Sequence, residues 1–115
     1  MPNQISYVAV WSKDLEANRH VFATLLGIPI AYEDDNVVVF QTEGTQLVLQ
    51  RAIGADSALA GTVGVGFDVE NVEELSNQLR SDGQTLDVDL ERFDNQQRVT
   101  ALRLASGQLV EFVGD

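Results

Sequence analysis

The chain repeats its own grammar. Val8-Ala9-Val10-Trp11-Ser12-Lys13-Asp14-Leu15-Glu16 alternates as a strand and runs into a helix start, and Val65-Gly66-Phe67-Asp68-Val69-Glu70-Asn71-Val72-Glu73 does the same; Val8 falls on Val65 and Asp14 on Asn71, each 57 residues on. Each copy closes on a Gly-led apolar strand, Gly44-Thr45-Gln46-Leu47-Val48-Leu49 and Gly107-Gln108-Leu109-Val110-Glu111-Phe112. A repeated supersecondary unit has an apolar face that it cannot bury alone. Two copies in 115 residues therefore predict a pseudo-twofold object with a cleft where the halves meet.

Composition narrows the function classes. The net charge is −11, which repels phosphate backbones and argues against nucleic acid as a partner. A cationic ligand would be attracted, although an acidic surface also serves solubility alone. With no cysteine there is no disulfide, no thiolate nucleophile and no Cys-based zinc site. No run approaches the ~20 apolar residues of a spanning helix, so no membrane partner is expected. The opening Met1-Pro2-Asn3-Gln4 lacks the charge and apolar length of a leader, and a cytoplasmic location is expected.

The coarse reading is strand-helix-strand-strand-strand, twice: modules at about 4–51 and 62–113, joined by a flexible linker at 52–61, in one domain. In the first copy Asp14 caps a helix whose apolar stripe is Leu15, Val21, Phe22, Leu25 and Leu26, stopped by Gly27 and Pro29. In the second, Asn71 caps a helix packed by Val72, Leu75 and Leu79. The fold class is α+β, with two βαβββ modules forming a curved mixed sheet.

That order resembles the vicinal oxygen chelate superfamily, the glyoxalase / bleomycin resistance protein / dioxygenase group. The marks are the strand into Asp14-Leu15-Glu16, the helix end Leu26-Gly27, Phe67-Asp68-Val69-Glu70-Asn71-Val72 and the closing Ser106-Gly107-Gln108-Leu109-Val110-Glu111-Phe112. The resemblance covers nearly the whole chain. It implies a cup formed by the sheet and, in metal-dependent members, ligands on the first and last strand of each module. Carried over, those positions are Tyr7, Val48, Gly64 and Glu111. Val48 and Gly64 have no donor, a phenol has an unperturbed pKa of about 10, and the one histidine, His20, lies on the first helix. A catalytic zinc site normally takes three protein ligands. The sequence thus keeps the fold and is expected to have lost the metal, with no cofactor in its place.

Several residues carry the binding reading. Glu111 stands among apolar neighbours, as a pocket carboxylate or as a residue paired with Arg98 or Arg103. Tyr7 and Trp11 share a strand face and could wall a ligand cup, or simply pack. Gly64 and Gly66 alternate on the matching strand; they clear room for a ligand, or mark a close strand approach. Asp68 shares their face as a polar rim. Val48 and Gln50 line the closing strand of the first copy. His20 reads as a solvent-side helix residue.

The expected function is a metal-independent small-molecule-binding protein. It would be a homodimer resembling the bleomycin-resistance branch, sequestering a small and preferably cationic ligand in a cup or dimer-interface cavity. The alternatives are a metal-dependent lyase, isomerase or dioxygenase of the same superfamily, and a dimeric assembly protein with a filled cup.

Overall fold

The computed structural model describes residues 4–92 and 97–115. Most of the Met1-Pro2-Asn3-Gln4 segment lies outside these residues.

Eight strands form one curved, open sheet in the order β2-β3-β4-β1-β5-β8-β7-β6. The first copy contributes β1 (Ile5–Ser12), α1 (Leu15–Arg19), β2 (Ile30–Glu33), β3 (Val37–Phe40) and β4 (Gln46–Arg51). The second contributes β5 (Val63–Val69), α2 (Val72–Ser81), β6 (Leu86–Arg92), β7 (Arg98–Arg103) and β8 (Leu109–Gly114). Within each copy the first strand pairs parallel with the last, β1 with β4 and β5 with β8. The copies meet where β1 and β5 pair antiparallel.

The repeat is written into that central register. Tyr7 lies opposite Gly66, and Ala9 opposite Gly64. A shift of 57 residues exchanges these two pairs, so a local twofold axis passes between β1 and β5 and makes Tyr7 equivalent to Gly64. The helix starts obey the same offset. Ala17 N–H donates to Asp14 Oδ1, and Glu74 N–H to Asn71 Oδ1, both at 3.0 Å. Each cap satisfies one of the free N–H groups of its first turn.

Strand alternation assigns the two faces. Val10, Val38, Leu47 and Leu49 point to the helix side and pack with Leu15, Phe22 and Phe40. Phe22 and Phe40 meet with ring centroids 5.7 Å apart. In the second half Phe67 and Phe112 stack at 5.9 Å on the same side.

Two local expectations are corrected. The first helix does not stay α-helical: from His20 to Leu25 it widens into a π-helix, and Leu26 N–H donates to Val21 O, five residues back. Leu15 is buried and Phe22 faces the core, but Val21, Leu25 and Leu26 of the expected apolar stripe are exposed, Leu25 at 68%. A wider turn changes the angle per residue, so a stripe counted at 3.6 residues per turn drifts off the core face. His20 is exposed in the same segment.

The joining segment is also ordered, where weak patterning suggests a flexible linker. Gly54–Leu59 forms a 3-10 helix, and Ala52 and Leu59 are buried. Backbone bonds pin both its ends to β1: Ala52 N–H donates to Ser12 O at 2.8 Å and Gly61 N–H to Trp11 O at 2.9 Å.

Candidate functional site

The face away from the helices carries the cup. Its positions follow from register: Tyr7, Ala9 and Trp11 on β1; Gln46, Val48 and Gln50 on β4; Gly64, Gly66 and Asp68 on β5; Glu111 and Val113 on β8; Ala101 on β7. Tyr7, Gly66, Glu111 and Ala101 form one continuous row across four strands.

In that row the middle residue has no side chain for a reason. A Cβ on Gly66 would fall inside three ring atoms of Tyr7. The phenol therefore lies across β5, over Gly66, and reaches toward the Glu111 carboxyl on the strand beyond, close enough for the two groups to perturb each other's proton affinity. Gly64 answers to a close strand approach instead, since a Cβ there would meet Leu109 O at 2.8 Å. Of the two readings open for these glycines, Gly66 makes room for the chain's own ring.

The electrostatics of the Tyr7–Glu111 pair follow from burial. Removal from water pushes the Glu111 carboxyl above the usual carboxylate range; the Tyr7 hydrogen bond opposes this, and the nearby Asp56 charge adds to it. Burial, then the charge of Glu111 and its hydrogen bonding, then Asp68, push the Tyr7 phenol strongly up, so it stays protonated. Glu111 is not matched by an arginine from the neighbouring strand. Arg98 donates to Glu73 Oε2 at 3.2 Å, and Arg103 forms a two-pronged pair with Asp87 at 3.2 and 3.0 Å.

Trp11 lies at the other end of the cup, 5% exposed, in a cluster with Ala52, Leu59, Ala101 and Leu109. The 3-10 helix thus covers the Trp11 end. Tyr7, Val48, Gln50 and Glu111 remain half-buried, Gly64 and Gly66 are buried and Asp68 is exposed. Asp56 was missed because the segment around it is small and unpatterned. The signal that could have found it is Leu59, a large apolar residue in a run of Ala, Ser and Gly.

The four ligand positions implied by the resemblance do share one face: Tyr7 opposes Gly66, Ala9 opposes both Val48 and Gly64, and Gly66 opposes Glu111. Their donors do not fit a divalent ion. Glu111 is the one good ligand, Val48 and Gly64 offer nothing, and the phenol is held neutral. Among the described residues no group of three or more His, Cys, Asp or Glu is placed to share an ion.

A second hollow, of about 440 Å3, opens on the helix side between Leu15, Arg19, the turn Glu33–Asn36 and Arg51. Ion pairs knit its walls: Arg19 donates twice to Glu33, at 2.6 and 2.9 Å, and Arg51 pairs with Glu16.

A family model for the glyoxalase/bleomycin resistance protein/dioxygenase superfamily matches residues 4–112. The chain belongs to this superfamily. Solved structures agree in fold. Methylmalonyl-CoA epimerase from Mycobacterium tuberculosis has TM-score 0.77 at 18% identity, covering 98% of this chain and 88% of its own. The Streptomyces coelicolor methylmalonyl-CoA epimerase bound to 2-nitronate-propionyl-CoA has TM-score 0.78 at 19% identity, covering 100% and 96%. A superfamily member from Vibrio splendidus 12B01 has TM-score 0.69 at 19% identity, covering 95% and 97%. A search of curated proteins finds no match. No described helix is long and apolar enough to cross a membrane.

Proposed function

We propose that this superfamily member binds a small molecule without a metal, at the Tyr7–Glu111 centre of the cup. The observation that carries the reading is the Tyr7 ring laid over Gly66 toward Glu111 in one cross-strand row, at positions where the resemblance implies metal ligands. A neutral phenol and a half-buried carboxyl form a protein-made polar centre on a mostly apolar floor, the usual composition of a ligand site. Val48, Gln50, Gly64, Gly66 and Asp68 complete its surroundings, with Trp11 closing the far end.

The ligand is cationic on this reading. Glu111 is half-buried, the arginines of the neighbouring strand pair elsewhere, and Asp56 and Asp68 both bear on the pair. A cation would relieve these like charges and replace lost hydration. The same field disfavours the phosphate-bearing CoA esters held by the epimerases of this fold. The reading includes a cytoplasmic homodimer.

One observation favours a second reading. The space above Gly66 is taken by a ring of the same chain, and Trp11 is sealed under the linker. A cup filled in this way suits a dimeric assembly protein.

A thermal-shift screen of polyamines, cationic glycopeptides and aromatic amines separates the two, with hits titrated into wild type and Glu111→Gln at low and high salt. Binding that weakens in Glu111→Gln and with salt supports the small-molecule reading. Hits that bind both proteins equally at every salt concentration remove Glu111 as the charge partner, and no hits at all favour assembly.

A further inference from the structure

The polar groups of the cup are not all spoken for. Trp11 is 5% exposed, and its indole Nε1–H has no hydrogen-bond partner among the described residues. Gln50 is half-buried, and its Oε1, itself buried, has none either. Trp11 and Gln50 are direct cross-strand partners in the β1–β4 register, so both project from the same face at the same level. Neighbouring strands run about 4.8 Å apart, and the two orphaned atoms belong to adjacent side chains. One is a donor and the other an acceptor.

Buried polar groups are nearly always hydrogen-bonded, and a native exception calls for a specific cause. Packing does not demand either group here. Phenylalanine would supply an aromatic ring to the Ala52, Leu59, Ala101 and Leu109 cluster, and leucine the bulk of Gln50, with no polar atom to satisfy. The pair lies four residues along β1 from Tyr7, on the same face of the sheet as the centre described above.

We infer that Trp11 Nε1–H and Gln50 Oε1 form a polar subsite of the cup that takes a group able to accept and donate at once, a primary carboxamide or a hydroxyl. The ligand's oxygen accepts from the indole, and its N–H or O–H donates to Gln50. This rests on the cup being a binding site and adds what the ligand must carry.

The test uses the whole 15N-labelled protein. Trp11 is the only tryptophan, so one indole cross-peak reports on the subsite. The probes are benzamide and toluene, equal in ring and differing in the amide. Benzamide should move the indole proton downfield while toluene leaves it in place, and Gln50→Leu should weaken benzamide about tenfold, the loss of one buried hydrogen bond. Trp11→Phe, followed at the Gly66 backbone amide, should weaken it similarly and guards against a Gln50 variant that folds poorly. If benzamide shifts Gly64 and Gly66 but not the indole, the subsite is wrong and the binding reading stands. If neither probe nor any cationic ligand shifts the cup residues, both fail. An indole proton with a persistent contact to one slowly exchanging water, unmoved by benzamide, means a structural water only and overturns the subsite.

Discussion

The two halves of the sheet share a backbone plan and divide the work of the cup unequally. On β1 the cup-facing side chains are Tyr7, Ala9 and Trp11; at the equivalent places on β5 stand Gly64, Gly66 and Asp68. The first half supplies the rings and the second supplies the room. The closing strands diverge in the same way, Val48 on β4 standing against Glu111 on β8. Had both halves kept aromatic residues at the centre, the rings would collide across the local axis. The asymmetry lets one phenol cross to a carboxyl of the other half, so the polar centre belongs to neither copy alone. The helices differ as well: α2 is regular from Val72 to Ser81, whereas the first helix widens and turns its last apolar residues outward.

The largest expected effect sets the buried linker against the exposed π-helix. Leu59→Ala removes a fully buried side chain and should cost about 3 kcal/mol. Leu25→Ala, at a site 68% exposed, should change stability by less than about 0.5 kcal/mol. Urea denaturation of both variants checks this. Equal losses would mean that the π-helix face is covered in solution.

Next comes the crossing of the halves. Gly66→Val places methyl groups where the Tyr7 ring lies and should cost about 2 kcal/mol. In a Tyr7→Ala background the same change should cost less than about 0.5 kcal/mol, a coupling measurable in a double-mutant cycle. Equal costs in the two backgrounds would place the ring elsewhere.

Much of this contrast was legible in the residues, and the reason is periodicity. Alternation puts Tyr7, Trp11, Gly64, Gly66 and Asp68 on one face, and the constant offset of the two helix caps identifies the repeat. Alternation cannot say what fills the space a glycine leaves; that depends on the rotamer of Tyr7, which only the packed sheet decides. It is equally silent on the first helix, where Val21, Leu25 and Leu26 look like core until the extra residue per turn swings them out. Leu59 lacks a periodic neighbour, and its burial is a tertiary contact with Trp11 and Leu109.

The helix caps should be alike where the helices are not. Asp14→Ala and Asn71→Ala each remove one cap bond of the same length and should each cost about 1 kcal/mol. A much smaller loss for Asp14→Ala would mean that the π-helical copy is frayed at its start.

The smallest effect is graded by pH. Burial raises the Glu111 carboxyl above its ordinary value of 4.5, so the folded state holds this proton more tightly than the unfolded chain. Its contribution is fully present below 4.5 and is lost as pH rises through the raised value. The melting temperature of wild type relative to Glu111→Gln should therefore fall as pH rises above 4.5. A difference that grows in favour of wild type would mean that the Tyr7 bond outweighs burial.

The central claim is that a protein-made pair, Tyr7 and Glu111, stands where the superfamily resemblance implies a metal centre. Elemental analysis of the purified protein, with melting curves before and after chelation, tests it most directly, because a resident ion that binds only the folded state would stabilise it by mass action. The account predicts no stoichiometric zinc, iron, nickel or manganese and an unchanged melting temperature. One equivalent of a transition metal, retained by wild type and lost in Glu111→Ala, would contradict it.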